Sequence, residues 1–337
     1  MTTLQHVVYE LNHLTGGRVI LDQTDPQALQ HPFVILKSSG IPGKEVLETP
    51  GLIYGDPRRQ VKKIAVAMTL SEQDIELAAA TGVDAIVAHH PIADGASSGG
   101  VTLRNYLDLY NVAVLELHEA FHGLHPGIPY LHGHRVHYAD IHFGGKEGNV
   151  LFAGLAFPEI RVLGDILQRL DGFMGLEKDE MLLEAEQALS GTSSLVETSQ
   201  VTKGRIVIGK EDTPVQNILH IFPHTGFSPE DLRQAKEMFP ESDTVLASIS
   251  RVPDGHALVL EAQKLGLNFI IGNCHVLEIF ENGLPLAYAL DSLLPDVEVV
   301  VFREKVVSTP VRQMGTQRLK EYAEMMAANH LVNKVKV

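Results

Sequence analysis

The sequence predicts an α/β protein of two similar lobes, each with a mostly parallel sheet, and a metal site between them. Three observations carry this. The order strand, helix, strand, helix, strand occurs twice; the stretches TLSEQDIELAA and GFSPEDLRQAK open a helix in matching places; and apolar strands run straight into turns bearing histidine and glutamate. Right-handed crossovers between such strands give parallel sheets, whose ligand-bearing loops fall at the carboxyl ends of the strands.

Taken in order, Leu4 to Leu14 has the spacing of a helix and belongs to an N-terminal extension over 1–32. The first lobe, 33–145, has a strand at Lys63 to Met68 and then Ser71 with Asp74 three residues on. That pattern lets a hydroxyl and a carboxylate satisfy the orphan amides of a helix start. The helix runs to about Thr81, where Gly82 ends it. The apolar run Ala85 to Ala88 then meets His89, His90 and Pro91, and a helix (Val101 to Tyr110) and a strand (Val112 to Leu117) follow. His125 to Gly145 reads as a loop or hairpin. Residues 146–203 read as a connecting helical segment.

The second lobe, 204–310, has strands at Gln216 to Phe222, Asp243 to Ile249 and Asn268 to Gly272. Helices lie between them, the first with Ser228 at its cap and Pro229 at its first position. An amphipathic C-terminal helix occupies 311–337.

With 27 basic and 42 acidic residues the formal net charge is −15, which argues against a duplex-nucleic-acid or anionic-membrane face. No apolar run nears a membrane span, and Cys274, the single cysteine, fits a reducing compartment, so a cytoplasmic location is expected. Nine of the 17 histidines lie between His89 and His142, well above an even share.

Three clusters carry chemistry. His89 and His90 end a buried strand, where the backbone can turn and fan both imidazoles toward one or two ions. His118, Glu119 and His122 spell the His-Glu-x-x-His of zinc peptidases, but they follow a strand directly, and Gly123 and Pro126 stop any helix within a turn. His275 and Glu278 sit three apart beyond the last strand. Nitrogen donors plus a carboxylate suit a divalent transition metal (zinc, iron or manganese, one ion or two) rather than magnesium or calcium. For His132, His134, His137 and His142 a solvated loop is expected ahead of binding to phosphate or metal.

These motifs resemble the Ngg-interacting-factor-three-like proteins, also called GTP cyclohydrolase I type 2 homologues, over roughly Pro50 to Leu124 and Gly204 to Val307. The likeness rests on Gly51-Leu52 through Gly55-Asp56, on the His89-His90-Pro91 turn, on His118 to His122 in place of a His-Thr-Asn-Leu-Asp turn, and on Gly272 to Glu278 in place of a Gly-His-x-x-x-Glu turn. It implies a dinuclear site with ligands His89, His90, His122, His275 and Glu278, the glutamate bridging, inside a homo-oligomer, often a hexameric ring. It also implies hydrolytic opening of a nucleotide ring. His122 stands where the family has aspartate, His275 and Glu278 are three apart rather than four, and Met68-Thr69 replaces an aspartate, so the chain is a divergent member.

Two classes of function follow. One is a metal-dependent hydrolase acting on a small molecule, a nucleotide or phosphoester, with His118 and Glu119 as candidates for orienting a ligand or serving as general base. No GxxxxGK[ST] loop is present to hold a triphosphate. The other is a non-catalytic metal-binding regulatory or oligomeric interaction protein; a zinc peptidase ranks last.

Overall fold

A computed structural model describes residues 1–38, 45–90, 100–191, 203–249, 251–303, 311, 316–326 and 328; Pro91 and the end of the C-terminal tail lie outside the described residues. The chain divides into two compact units, one of 1–170 with 204–304 and the other of 171–203 with 305–337.

In the first unit the strands are β1 (Ile35–Ser38), β2 (Glu45–Glu48), β3 (Gly51–Tyr54), β4 (Lys63–Ala67), β5 (Ala85–Ala88), β6 (Ala113–Glu116), β7 (His134–Asp140), β8 (Leu151–Ala156), β9 (Arg205–Ile208), β10 (Asn217–Ile221), β11 (Thr244–Ile249), β12 (Asn268–Cys274) and β13 (Glu298–Val301). They form a β1–β2 hairpin pair and two larger sheets ordered β13-β4-β5-β6-β3 and β7-β8-β10-β11-β12-β9. In the first large sheet β13, β4, β5 and β6 are parallel and β3 is antiparallel. In the second, β10, β11 and β12 are parallel, with β8, β7 and β9 added antiparallel at the flanks. The expected α/β architecture of two sheets is thus present. Strand β13, late in the chain, crosses back into the first sheet, and β7 joins the second.

Period-2 alternation in β4 and β5 explains why the first sheet is covered on both faces. Ile64, Val66, Ala85 and Val87 pack with Leu4, Val7 and Leu11 of α1 (Leu4–Leu14), while Ala65, Ala67, Ile86 and Ala88 pack with Ile75 and Ala78 of α2 (Glu72–Thr81). Leu103 and Leu107 of α3 (Gly100–Tyr110) complete the second face. Ile75 is fully buried, a contribution of about 1.5–3 kcal/mol. The second sheet is covered likewise, by Leu232 and Ala235 on one face and by Leu163, Ile166 and Leu170 on the other.

The matched helix starts are real caps. Ser71 accepts from the Asp74 amide while the Asp74 carboxylate accepts from the Ser71 amide, and Ser228 and Asp231 repeat the arrangement. Gly82, in the left-handed region at φ 71°, ends α2 and lets the chain turn directly into β5. The His-rich stretch expected to be a solvated loop is largely ordered. Gly127–Leu131 is a short helix and β7 follows it; His132 and His134 are buried, and only His137 and His142 face solvent. Periodicity misses this because β7 is a flanking strand whose inward positions are filled by histidine and tyrosine as well as aliphatic residues.

In the second unit a helix at Leu176–Ser190 runs between two left-handed glycines, Gly175 and Gly191, and Lys203 pairs with Glu180. A further helix spans Gln317–Met326. Among the described residues no helix is long and apolar enough to cross a membrane.

Candidate metal centre

The parallel ladder places the first two imidazoles. His89 N donates to Ala67 O and His90 N to Met68 O, at 2.9 and 2.7 Å, so both residues extend β5 against β4 before the chain departs. Their rings lie 5.4 Å apart at 45°, fanned rather than on opposite faces. Alongside, Leu117 N donates to Ala88 O, which brings the segment after β6 level with His89. There Phe121 N donates to His118 O and His122 N to Glu119 O, a pair of tight turns with Gly123 at φ 71° instead of the long helix a zinc peptidase uses. From the other end of the first unit, Glu278 follows the turn His275–Leu277 and leads into a π-helical turn, Ile279–Gly283.

These segments converge. Ligand atoms of His89, His90 and Glu278 lie within 4.8 Å of one another, and so do those of His89, His118 and His122, and of Glu48, His118 and Glu119. His275 stands at the edge, with its Nε2 3.7 Å from Glu278 Oε2 and its ring 4.3 Å from that of His90. His89, His90, His118, Glu119, His122, His275 and Glu278 therefore meet in one place.

The second contacts of these imidazoles define what each can offer. His89 Nδ1 lies 3.0 Å from Leu117 O; a carbonyl only accepts, so Nδ1 carries the hydrogen and Nε2 presents the lone pair. His118 Nδ1 lies 2.9 Å from Glu48 Oε2, His122 Nδ1 3.1 Å from Glu119 Oε2, and His90 Nδ1 3.1 Å from Thr69 Oγ1. In each of the four rings Nδ1 is tethered and Nε2 is the atom suited to ligation. Carboxylates behind His118 and His122 give the arrangement that orients imidazoles and raises their basicity in metal sites.

The charge pattern fits a cation. Glu278 Oε1 lies 3.3 Å from His89 Nε2 and Oε2 lies 3.0 Å from His90 Nε2. Burial lowers the pKa of His89, with hydrogen bonding and charge interaction with Glu278 opposing. Burial alone would raise the Glu278 carboxyl, but its contacts with His89 and His90 outweigh that and hold it well below the usual carboxylate range. His89 Nε2 and Glu278 Oε1 thus face each other in the interior, with room for one shared hydrogen or a cation between them. Asn282 Nδ2 reaches both, at 3.4 and 2.9 Å. Burying such a pair is costly unless a cation or donors lie between them.

Sequence reasoning missed Glu48, Thr69 and Asn282. Asn282 carried a signal, since it lies four residues after Glu278 and so returns to the same face of a helical turn. Thr69 was marked only as part of the Met68-Thr69 pair standing in place of an aspartate, and Glu48 carried no signal, because only tertiary packing brings the β1–β2 pair to this edge.

Behind the centre lies a second histidine cluster. His134 Nε2 meets His220 Nδ1 at 2.9 Å and His220 Nε2 meets Ser248 Oγ at 2.6 Å. His132 accepts from Asn273 N at Nε2 and has Nδ1 2.8 Å from Ile128 O. Burial drives His132 down to about 4 and His134 to about 3. The Asn273 side chain donates to Glu281 Oε1, and burial raises that carboxyl well above its usual range.

The arrangement of the two α/β sheets is a fold shared with solved proteins. The family model Duf34/NIF3 (NGG1p interacting factor 3) matches residues 39–98, the stretch carrying His89-His90-Pro91. Reduced HcgD from Methanocaldococcus jannaschii superposes with a TM-score of 0.56 at 15% identity over 89% of this chain and 97% of its own. A Bacillus cereus protein related to NIF3 gives 0.56 at 13%, covering 92% and 98%, and protein ybgI, of unknown function, gives 0.56 at 14%, covering 91% and 100%. No curated protein matches the chain. The NIF3-like resemblance seen in the motifs is therefore present in the family match and in the fold, at an identity that marks divergence.

Proposed function

We propose that this chain is a divergent NIF3-like metal-binding protein whose centre takes up to two divalent transition-metal ions and serves a hydrolytic reaction. The observation that carries it is the Nδ1 tethering of four converging imidazoles around a buried carboxylate. An imidazole nitrogen has one lone pair, so His89 serves a single ion, whereas Glu278 has an oxygen for each of two. His89, with His118 and His122, would hold one ion, and His90, with His275, the other, Glu278 bridging. Bound there, the ion would supply Lewis-acid polarisation and a more acidic water.

The remaining residues have defined tasks. Glu119, 3% exposed and directed at His122 Nδ1, orients a ligand rather than serving as general base, and Glu48 does the same for His118. His118, given above as a candidate base, belongs with the ligands. Asn282 holds Glu278 in place. The substrate class we favour is a small molecule such as a nucleotide or simple phosphoester, and the working assembly a homo-oligomer, a hexameric ring by family resemblance.

The test is turnover of nucleotides and simple phosphoesters by metal-replete protein beside His90→Ala. Turnover that falls by about a hundredfold or more in the variant supports the enzyme. Stoichiometric metal with no turnover of any class assigns the chain instead to non-catalytic metal binding.

A further inference from the structure

At the carboxyl ends of the parallel strands of the second sheet stands a guanidinium without a counter-charge. Arg251, half-buried just past β11, has Nε and Nη2 both buried, and among the described residues neither has a hydrogen-bond partner. The groups whose charge reaches it are Cys274, at the end of β12, and Arg205, at the start of β9; no carboxylate is among them. Strand β9 runs antiparallel to β12, so Arg205 lies at this same end of the sheet. The donors of Arg205 are already engaged, Nη1 by Asp254 Oδ1 at 2.6 Å and Nη2 by Val252 O at 3.0 Å.

The backbone is strained where it sets Arg251 in place. The β11–β12 ladder shifts register between Ala247 and Ile249, and Ile249, opposite Cys274, holds φ 66°. A β-branched residue adopts that left-handed conformation only where its surroundings impose it, and such strain gathers at functional sites. Water would satisfy the two N–H groups of Arg251 but not its charge, and burial lowers the pKa of the group. Two donors on one planar group match two oxygens of a phosphate, the bidentate contact that suits a guanidinium. In open α/β sheets ligands bind outside the carboxyl ends of the strands, and here Cys274 immediately precedes His275 of the metal centre.

We propose that Arg251 receives an oxyanion, the phosphate group of an esterified small-molecule substrate, at the carboxyl end of β11 beside the metal centre. That the anion belongs to the substrate rests on the metal-centre reading given above; the anion site itself rests on Arg251 alone. Arg251 thereby supplies a cation for phosphate in a chain of net charge −15 that has no GxxxxGK[ST] loop.

Calorimetric titration of the full chain with inorganic phosphate and with phenylphosphonate, a non-hydrolysable stand-in for a phosphate ester, tests this. It is run on chelator-stripped and metal-loaded protein, with ion content measured on the same samples. Both probes are expected to bind the stripped protein, where no ion can receive them, and Arg251→Met should weaken both by at least about tenfold. Arg251→Lys keeps the charge but loses the paired donors, so it should also bind both more weakly than wild type, and it serves if the Met variant does not fold. Phosphate should raise the thermal midpoint of the wild type and not that of Arg251→Met, and without phosphate the Met variant should be at least as stable as the wild type. Stripped wild type that binds neither probe, variants that bind both as wild type does, or a Met variant less stable than wild type in phosphate-free buffer would overturn the anion site. Binding of phosphate without phenylphosphonate would overturn its assignment to an ester. Binding of both probes through Arg251 in protein that takes up no transition metal would sink the metal-centre reading and leave the anion site standing.

Discussion

Two histidine clusters lie close together in this chain and are built in opposite ways. Around His89 the imidazoles are tethered at Nδ1 by Leu117 O, Thr69, Glu48 and Glu119, so that ligating atoms turn toward one another and toward Glu278. Around His220 the rings bond to each other, to Ser248 and to backbone groups, and His134 Nδ1 is left buried without a hydrogen-bond partner. Histidine count does not separate a ligand site from a structural one. Where the second nitrogen goes, and whether a buried carboxylate faces the first, does.

The comparison breaks most visibly at His220. His220→Ala should destabilise the fold by about 3 kcal/mol or more, because a buried ring is lost and His134 and Ser248 are left without their partner. Metal content per folded chain should stay the same. Urea denaturation with parallel elemental analysis reads both; a large loss of metal from chains that remain folded would erase the distinction between the clusters.

Acid is the next lever. His132 and His134 are neutral in the folded state down to about 4 and about 3, while in the unfolded chain they take up protons below about 6.5. The unfolded state therefore binds more protons in that window. Stability should fall as pH drops from about 6.5 toward 4, by up to about 1.4 kcal/mol per pH unit for each ring. His134→Phe should flatten this slope if it folds, measured as the denaturation midpoint against pH; an unchanged slope in both it and His132→Phe would show that these rings are not the cause.

The smallest effect belongs to the carboxylates behind the ligands. Glu119→Gln keeps shape but weakens the acceptor for His122 Nδ1, and metal affinity should drop by about 10- to 100-fold with little change in stability. Competition with a chelator of known affinity measures it. Full retention of affinity would remove Glu119 from the site.

Much of this was legible in the residues. Strand β5 and its histidines were, because a short apolar run ending in two imidazoles and followed by proline has few other readings, and the Ser71 and Ser228 caps were local patterns that needed no tertiary context. What stayed hidden depends on contacts distant in sequence: Glu48 reaches His118 across 70 positions and Glu278 reaches His90 across 188. The buried histidines of β7 and β10 were invisible for another reason. Polar residues interrupt the apolar pattern from which burial is inferred, and only their mutual hydrogen bonds make that burial tolerable.

The central claim is that the His89 cluster holds metal. Elemental analysis of protein purified without chelators, wild type beside His89→Ala and Glu278→Ala, tests it directly. About one transition-metal ion per chain or more in the wild type, and a marked loss in both variants, is the expected result. Folded wild-type protein without stoichiometric transition metal, or variants that retain it in full, would contradict the account.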